Sequence, residues 1–181
     1  MKPTSSTLFA AIACASPLLY LGPASAQDAP PSQMDQLSSF IGDGTCSGNF
    51  LATKSPHATS AGYHGEKALG GHWIVVRYRE EATPSNPRPY HVAQYFGYDA
   101  KASRFVDVVL DNTGGSYGAG TSSGWKGDVI TFENTDFTSG SHSLFRDVFT
   151  RRGGLVVSHT GYAHDKHGKW IKTDHEMCKR T

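Results

Sequence analysis

The 181-residue chain is 38% hydrophobic and 18% charged, with a formal net charge of +1. That length suits one domain and is short for two ordinary ones. With 17 basic against 16 acidic residues and no basic stripe, nucleic acid is excluded as an expected partner, and no polybasic or amphipathic segment points to a membrane surface.

The first 26 residues differ from the rest. Lys2 is their one charge, an apolar run from Leu8 to Leu21 follows, and Ala24-Ser25-Ala26 closes the segment. This pattern predicts a secretory signal peptide cleaved after Ala26. The run is broken by Pro17 and falls short of the roughly 20 apolar residues that a bilayer needs. A lipoprotein acylated at Cys14 is the alternative, although Ala11-Ile12-Ala13 lacks the leucine usual at the start of that recognition box. The expected location is periplasmic or secreted.

Residues 27–33, QDAPPSQ, read as a disordered leader. Met34, Leu37, Phe40 and Ile41 stand at helical spacing, predicting a short helix stopped by Gly42 and Gly44. From Thr45 onward, short runs of β-branched and aromatic residues alternate with turn signals. They predict ten strands, at 45–52, 59–68, 71–82, 89–99, 104–111, 116–123, 128–134, 142–151, 154–163 and 169–178. Leu69-Gly70-Gly71, Asn112-Thr113-Gly114-Gly115, Gly124-Trp125-Lys126-Gly127-Asp128 and Arg152-Gly153-Gly154 supply the residues that tight reversals need. Residues 83–89 form a proline-stiffened loop, placed at one mouth of the barrel.

Ten hairpin-linked strands make an antiparallel meander with two raw edges, and closing the sheet removes them. The fold class is therefore all-β, an up-and-down antiparallel barrel of about ten strands with a short N-terminal helix. Cys46 lies on the first strand and Cys178 on the last. In an exported protein, two cysteines with no third partner predict a disulfide. Bridged Cα atoms lie within about 7 Å, so the bridge and the closed barrel imply each other.

Four motifs occur in order. They are glycine-rich Gly42–Gly48 at the first strand, Leu69-Gly70-Gly71-His72-Trp73-Ile74, Phe96-Gly97-Tyr98-Asp99, and Gly124-Trp125-Lys126-Gly127-Asp128. In this order they resemble the lipocalin-like family catalogued as DUF1579, a likeness that runs over most of residues 34–178 and implies the barrel. A more distant resemblance is to haem-binding nitrobindin barrels. It implies His159 as a candidate haem ligand, but Asp43, Gly44 and Thr45 stand where that pattern has tryptophan.

Several strands have mixed faces, as a partly polar lumen would produce. His72, Ile74, Val76 and Tyr78 share one face of the third strand, opposite Trp73, Val75, Arg77 and Arg79. Trp170, Lys172, Asp174 and Glu176 share one face of the last. Among nine histidines, His164-x-x-His167 and His175-x-x-Cys178 have metal-ligand spacing. The first pair falls in a hairpin tip and the second on opposite strand faces, so no metal site is assigned. His159 reads as a core histidine held by a carboxylate such as Asp174. Arg77, Arg146 and Asp107 are candidates to hold an anionic ligand, or to form internal or solvated ion pairs. No nucleophile elbow, H-E-x-x-H or Walker loop is present.

The leading expectation is an exported barrel binding a small, partly apolar or amphipathic molecule, with no catalytic residue assigned. Trp73, Tyr78, Tyr95, Phe96 and Phe105 would give apolar contact, and Arg77, Gln94, Arg146 or His159 a polar anchor. The alternatives are a haem or metal barrel acting on small reactive species through His159, and a structural or interaction module of the cell envelope.

Overall fold

The computed structural model describes residues 28–51, 56–113, 117–138 and 142–181. The expected signal segment 1–26, with Cys14, and Gly114-Gly115 of one expected turn lie outside them. The described residues form ten strands: β1 Gly42–Phe50, β2 His57–Ala68, β3 Trp73–Glu80, β4 His91–Asp99, β5 Arg104–Asp111, β6 Tyr117–Ser122, β7 Val129–Asp136, β8 Ser143–Arg151, β9 Val156–His164 and β10 Trp170–Arg180. Each pairs antiparallel with its chain neighbours, and β1 pairs with β10, closing the barrel. All ten expected strands are present, with ends displaced by at most three residues. Among the described residues, no helix is long and apolar enough to cross a membrane.

Closure is stitched covalently. Cys46 and Cys178 are directly opposite in the β1–β10 register, with Cα atoms 4.0 Å apart and a disulfide between them. In the chain-entropy model, a bridge spanning 132 residues stabilises the folded state by up to about 4–5 kcal/mol.

The expected helix is a 3-10 helix, Ser32–Phe40, beginning two residues inside the expected leader. Its buried residues are Met34, Leu37 and Phe40. They recur every three positions, the spacing that three residues per turn aligns on one side. Ile41 has left the helix and is extended (φ −90°, ψ 136°). The helix plugs one end of the barrel, where its three apolar residues pack with Ile74, Phe96, Phe105, Ile130, Phe132 and Phe149. Trp125, in the β6–β7 turn, clamps it. The indole Nε1–H donates to the Gln36 carbonyl at 3.0 Å, and the ring stacks on Phe40 at 6.2 Å. Arg151 covers the same indole at 3.6 Å.

Alternation fixes which side chains face the lumen. Ile74, Val76, Tyr78 and Glu80 point in from β3, and Trp73, Val75, Arg77 and Arg79 point out. β10 departs from the expected alternation. A bulge between Lys172 and Asp174 makes Ile171 pair with Ala163 and Asp174 with Gly161, two residues of one β9 face. Trp170 and Lys172 are thereby turned to the side opposite Asp174 and Glu176, because one extra residue reverses the pleat.

Candidate functional site

Beyond the plug the lumen opens into a cavity of about 270 Å³, room for about nine waters at roughly 30 Å³ each. Phe50, Tyr63, Tyr78, Tyr90 and Phe149 supply rings to its wall, with Val76, Val92 and Val109 between them. Asp147, His159, Asp174 and Glu176 supply the polar part.

His159 stands at the floor, its ring 4.9 Å from Phe149 of the plug cluster. Nε2 donates to Asp147 Oδ1 at 2.9 Å, and Nδ1 lies 3.0 Å from Asp174 Oδ2. The second contact is a close ion pair whose N–H is poorly aligned with the buried Asp174 Oδ2. Burial alone would lower the His159 pKa, but the Asp174 and Asp147 carboxylates outweigh it and raise it well above the usual histidine range. Burial would likewise raise Asp174, and the His159 charge reverses that and lowers it. Glu176 is raised, chiefly by burial, although Tyr78 donates to it and His159 lies near.

A hydrogen-bonded chain supports this group. Asn134 Nδ2 donates to Asp147 Oδ2 at 2.9 Å and to Asp107 Oδ2 at 3.1 Å, and Gln94 Nε2 also donates to Asp107, at 2.9 Å. Asp107 is fully buried. Burial, with the nearby Asp147 charge adding to it, pushes its carboxyl well above the ordinary range. Two mid-strand glycines make the room. A Cβ at Gly120 would come within 1.9 Å of Asn134 Oδ1, and one at Gly161 within 2.1 Å of Asp174 Oδ1. At the rim, buried Glu80 accepts from Asn86 Nδ2 at 2.7 Å and from the Tyr90 amide at 2.8 Å, and lies 2.7 Å from His57 Nε2. This ties the 83–89 loop to the barrel.

The structure divides the candidate residues of the sequence into three groups, with Arg146 apart from them. Tyr78, Gln94 and His159 line the cavity. Phe96 and Phe105 point inward but belong to the plug cluster. Trp73, Arg77 and Tyr95 stand on the outer face: Trp73 lies over Gly97, Arg77 pairs with Glu66 at 2.5 Å, and Tyr95 pairs with Val75 and Val108. Arg146 borders the cavity, yet its guanidinium pairs with exposed Glu133 at 2.6 Å and lies over Trp170 at 4.2 Å. The polar lining is thus mainly acidic. Of Arg77, Arg146 and Asp107 as holders of an anionic ligand, Arg77 is corrected because it faces outward, Asp107 joins the buried acidic chain, and Arg146 reaches only the cavity edge. His159 does have its carboxylate partner Asp174, while Asp147 and Glu176 join the group unannounced by any motif.

Fold and site together define a small closed antiparallel barrel with a plugged end and an acidic, aromatic chamber. No family model matches the chain, and no curated protein is similar to it in sequence. Among solved structures it is similar to Rv2717c from M. tuberculosis, with a TM-score of 0.65 over 84% of this chain and 99% of that one, at 12% identity. At that identity the likeness concerns the fold alone.

A haem does not fit the residues present. Bound at either nitrogen of His159, a haem would bring its wide macrocycle against Asp147 or Asp174, whose oxygens stand 2.9 and 3.0 Å from the ring.

Proposed function

We infer that this chain is an exported ligand-binding barrel that takes a small, partly apolar molecule into its chamber. The observation that carries this reading is the cavity of about 270 Å³, close to the lower end of ordinary ligand sites, walled by rings and converging polar groups. Tyr78, Tyr90, Phe50 and Phe149 supply the apolar contact, and Gln94, His159 and the neighbouring acids the polar end. The Cys46–Cys178 bridge supports an oxidising, extracytoplasmic setting.

The uncharged fluorophore N-phenyl-1-naphthylamine tests the reading. Saturable binding at one site per chain, with a gain in emission, is expected. Val109→Trp, which fills the cavity from β5, abolishes it without unfolding the barrel. No saturable gain, or an unchanged gain in the filled variant, would overturn the reading. Against an interaction module, residues 83–89 contribute no large exposed apolar side chain.

A further inference from the structure

The chamber floor brings together one histidine and two carboxylates, His159, Asp174 and Glu176, whose ligand atoms all lie within 4.8 Å of one another. We propose that these three side chains hold a divalent first-row transition-metal ion, bound through His159 Nδ1, Asp174 Oδ2 and one oxygen of Glu176. This goes beyond the lumen-binding reading and does not depend on it.

The strand pairing makes the group. Asp174 and Glu176 are two apart on β10 and point the same way past the bulge, and Glu176 lies directly across from His159 on β9. Opposite Asp174 is Gly161, whose missing side chain leaves the carboxylate its place. The contact between His159 Nδ1 and Asp174 Oδ2, at 3.0 Å, is the telling one. Two ligands at right angles in an octahedral shell, each about 2.1 Å from a shared ion, stand about 3.0 Å apart, and a tetrahedral ion would spread them to about 3.4 Å. Asp174 Oδ2 is buried and meets no donor in good alignment, so the 3.0 Å approach is close without being a well-formed hydrogen bond. Among the described residues, the His159 ring is the one group this oxygen meets, and a cation placed between them would take both atoms as ligands.

Each ligand is also held from its far side. His159 Nε2 donates to Asp147, and Asn134 fixes Asp147 in turn. Asp174 Oδ1 accepts from Thr173 Oγ1 at 2.8 Å. Glu176 Oε1 accepts from the Tyr78 hydroxyl, which also meets Thr59 Oγ1 at 2.9 Å. The carboxylate–histidine–metal relay, with outer partners orienting the ligands, is how proteins fix such sites. Asp147 is then a positioning residue. One imidazole and two carboxylates suit zinc, manganese or iron(II). The two nearby sulfurs are committed to their own bond.

The test uses the purified, disulfide-bonded protein stripped with a chelator. Cobalt(II) is titrated against visible absorption and zinc(II) by calorimetry. One ion per chain is expected, with at least about 100-fold weaker binding in His159→Gln and Asp174→Asn and 10–100-fold weaker binding in Asp147→Asn. The double variant His164→Gln/His167→Gln binds as the parent does. Absence of one-to-one saturable binding overturns the proposal and leaves a metal-free ion-pair cluster. So does binding that survives His159→Gln but is lost in the hairpin-tip variant. Should a floor variant fail to fold, nitrogen NMR of the parent decides. Zinc must shift the His159 Nδ1 resonance, and a shift confined to other histidines overturns the site.

Discussion

The two ends of the lumen are built on one plan and filled in opposite ways. At the plugged end the inward positions carry Ile74, Phe96, Phe105, Ile130, Phe132 and Phe149, closed by Met34, Leu37 and Phe40. A few rows further on, the same alternation delivers Asp147, His159, Asp174 and Glu176. Burying apolar surface stabilises the barrel by about 25 cal/mol per Å². Burying charges costs several kcal/mol per ion before pairing recovers it. One end therefore accounts for stability, and the other, which the fold does not need, marks where function is sought.

The largest expected effect is at the plug. Phe96 is fully buried and stacks on Phe40 at 4.7 Å, so Phe96→Ala costs about 3–5 kcal/mol, measured by denaturant midpoint. The chamber answers differently. Asp147→Ala strips the acceptor from both His159 and Asn134 and costs about 2–3 kcal/mol. Replacing the cluster together, with His159→Met, Asp147→Leu and Asp174→Leu, recovers much of that loss, because buried ionic groups are often replaceable by apolar ones. No comparable rescue exists for Phe96. If the triple variant is less stable than Asp147→Ala alone, the contrast between the ends is wrong.

The strands were legible because turn chemistry and apolar alternation punctuate the chain, and Cys46 and Cys178 named the two that close it. The interior was not legible. A lumen lined with Asp107, Asn134, Asp147 and Asp174 reads, residue by residue, like a solvent face, so inside and outside are indistinguishable by polarity. The β10 bulge then reverses the pleat, which no alternation count reveals. One signal was available: Gly120 and Gly161 sit mid-strand, where glycine marks a close approach, and each faces a member of the buried network. The helix is visible in the sequence, but apolar residues at 34, 37 and 40 fit an α-helical stripe as well as a 3-10 one over so short a span.

Asp107 sharpens the comparison through pH. Its carboxyl is raised in the folded protein, chiefly by burial and then by Asp147. A raised carboxyl favours the fold while it is protonated in both states. That contribution is fully present below the unfolded aspartate value near 3.9 and is lost as pH rises through the folded value. Asp107→Asn removes the titration and keeps an oxygen for the Gln94 and Asn134 donors. Stability measured from pH 4 to 8 therefore falls less steeply in the variant than in the parent. Equal slopes would show that Asp107 is ionised in the fold.

The smallest expected effect tests whether the two ends are independent. Trp125→Phe keeps a ring against Phe40 but loses the indole N–H bond to the Gln36 carbonyl and weakens the stack under Arg151. One neutral hydrogen bond at a partly exposed site is worth about 1 kcal/mol, and loss of part of a cation–π contact adds a few tenths. The melting temperature should drop by a few degrees, as about 1 kcal/mol does in a domain of this size. Binding of N-phenyl-1-naphthylamine should not change, since the clamp touches the plug and the probe occupies the chamber. A drop in probe affinity of more than about threefold would mean that the plug sets the shape of the chamber floor through Phe40 and Phe149, the two rings common to the plug cluster and the cavity wall. The two ends would then be one mechanical unit.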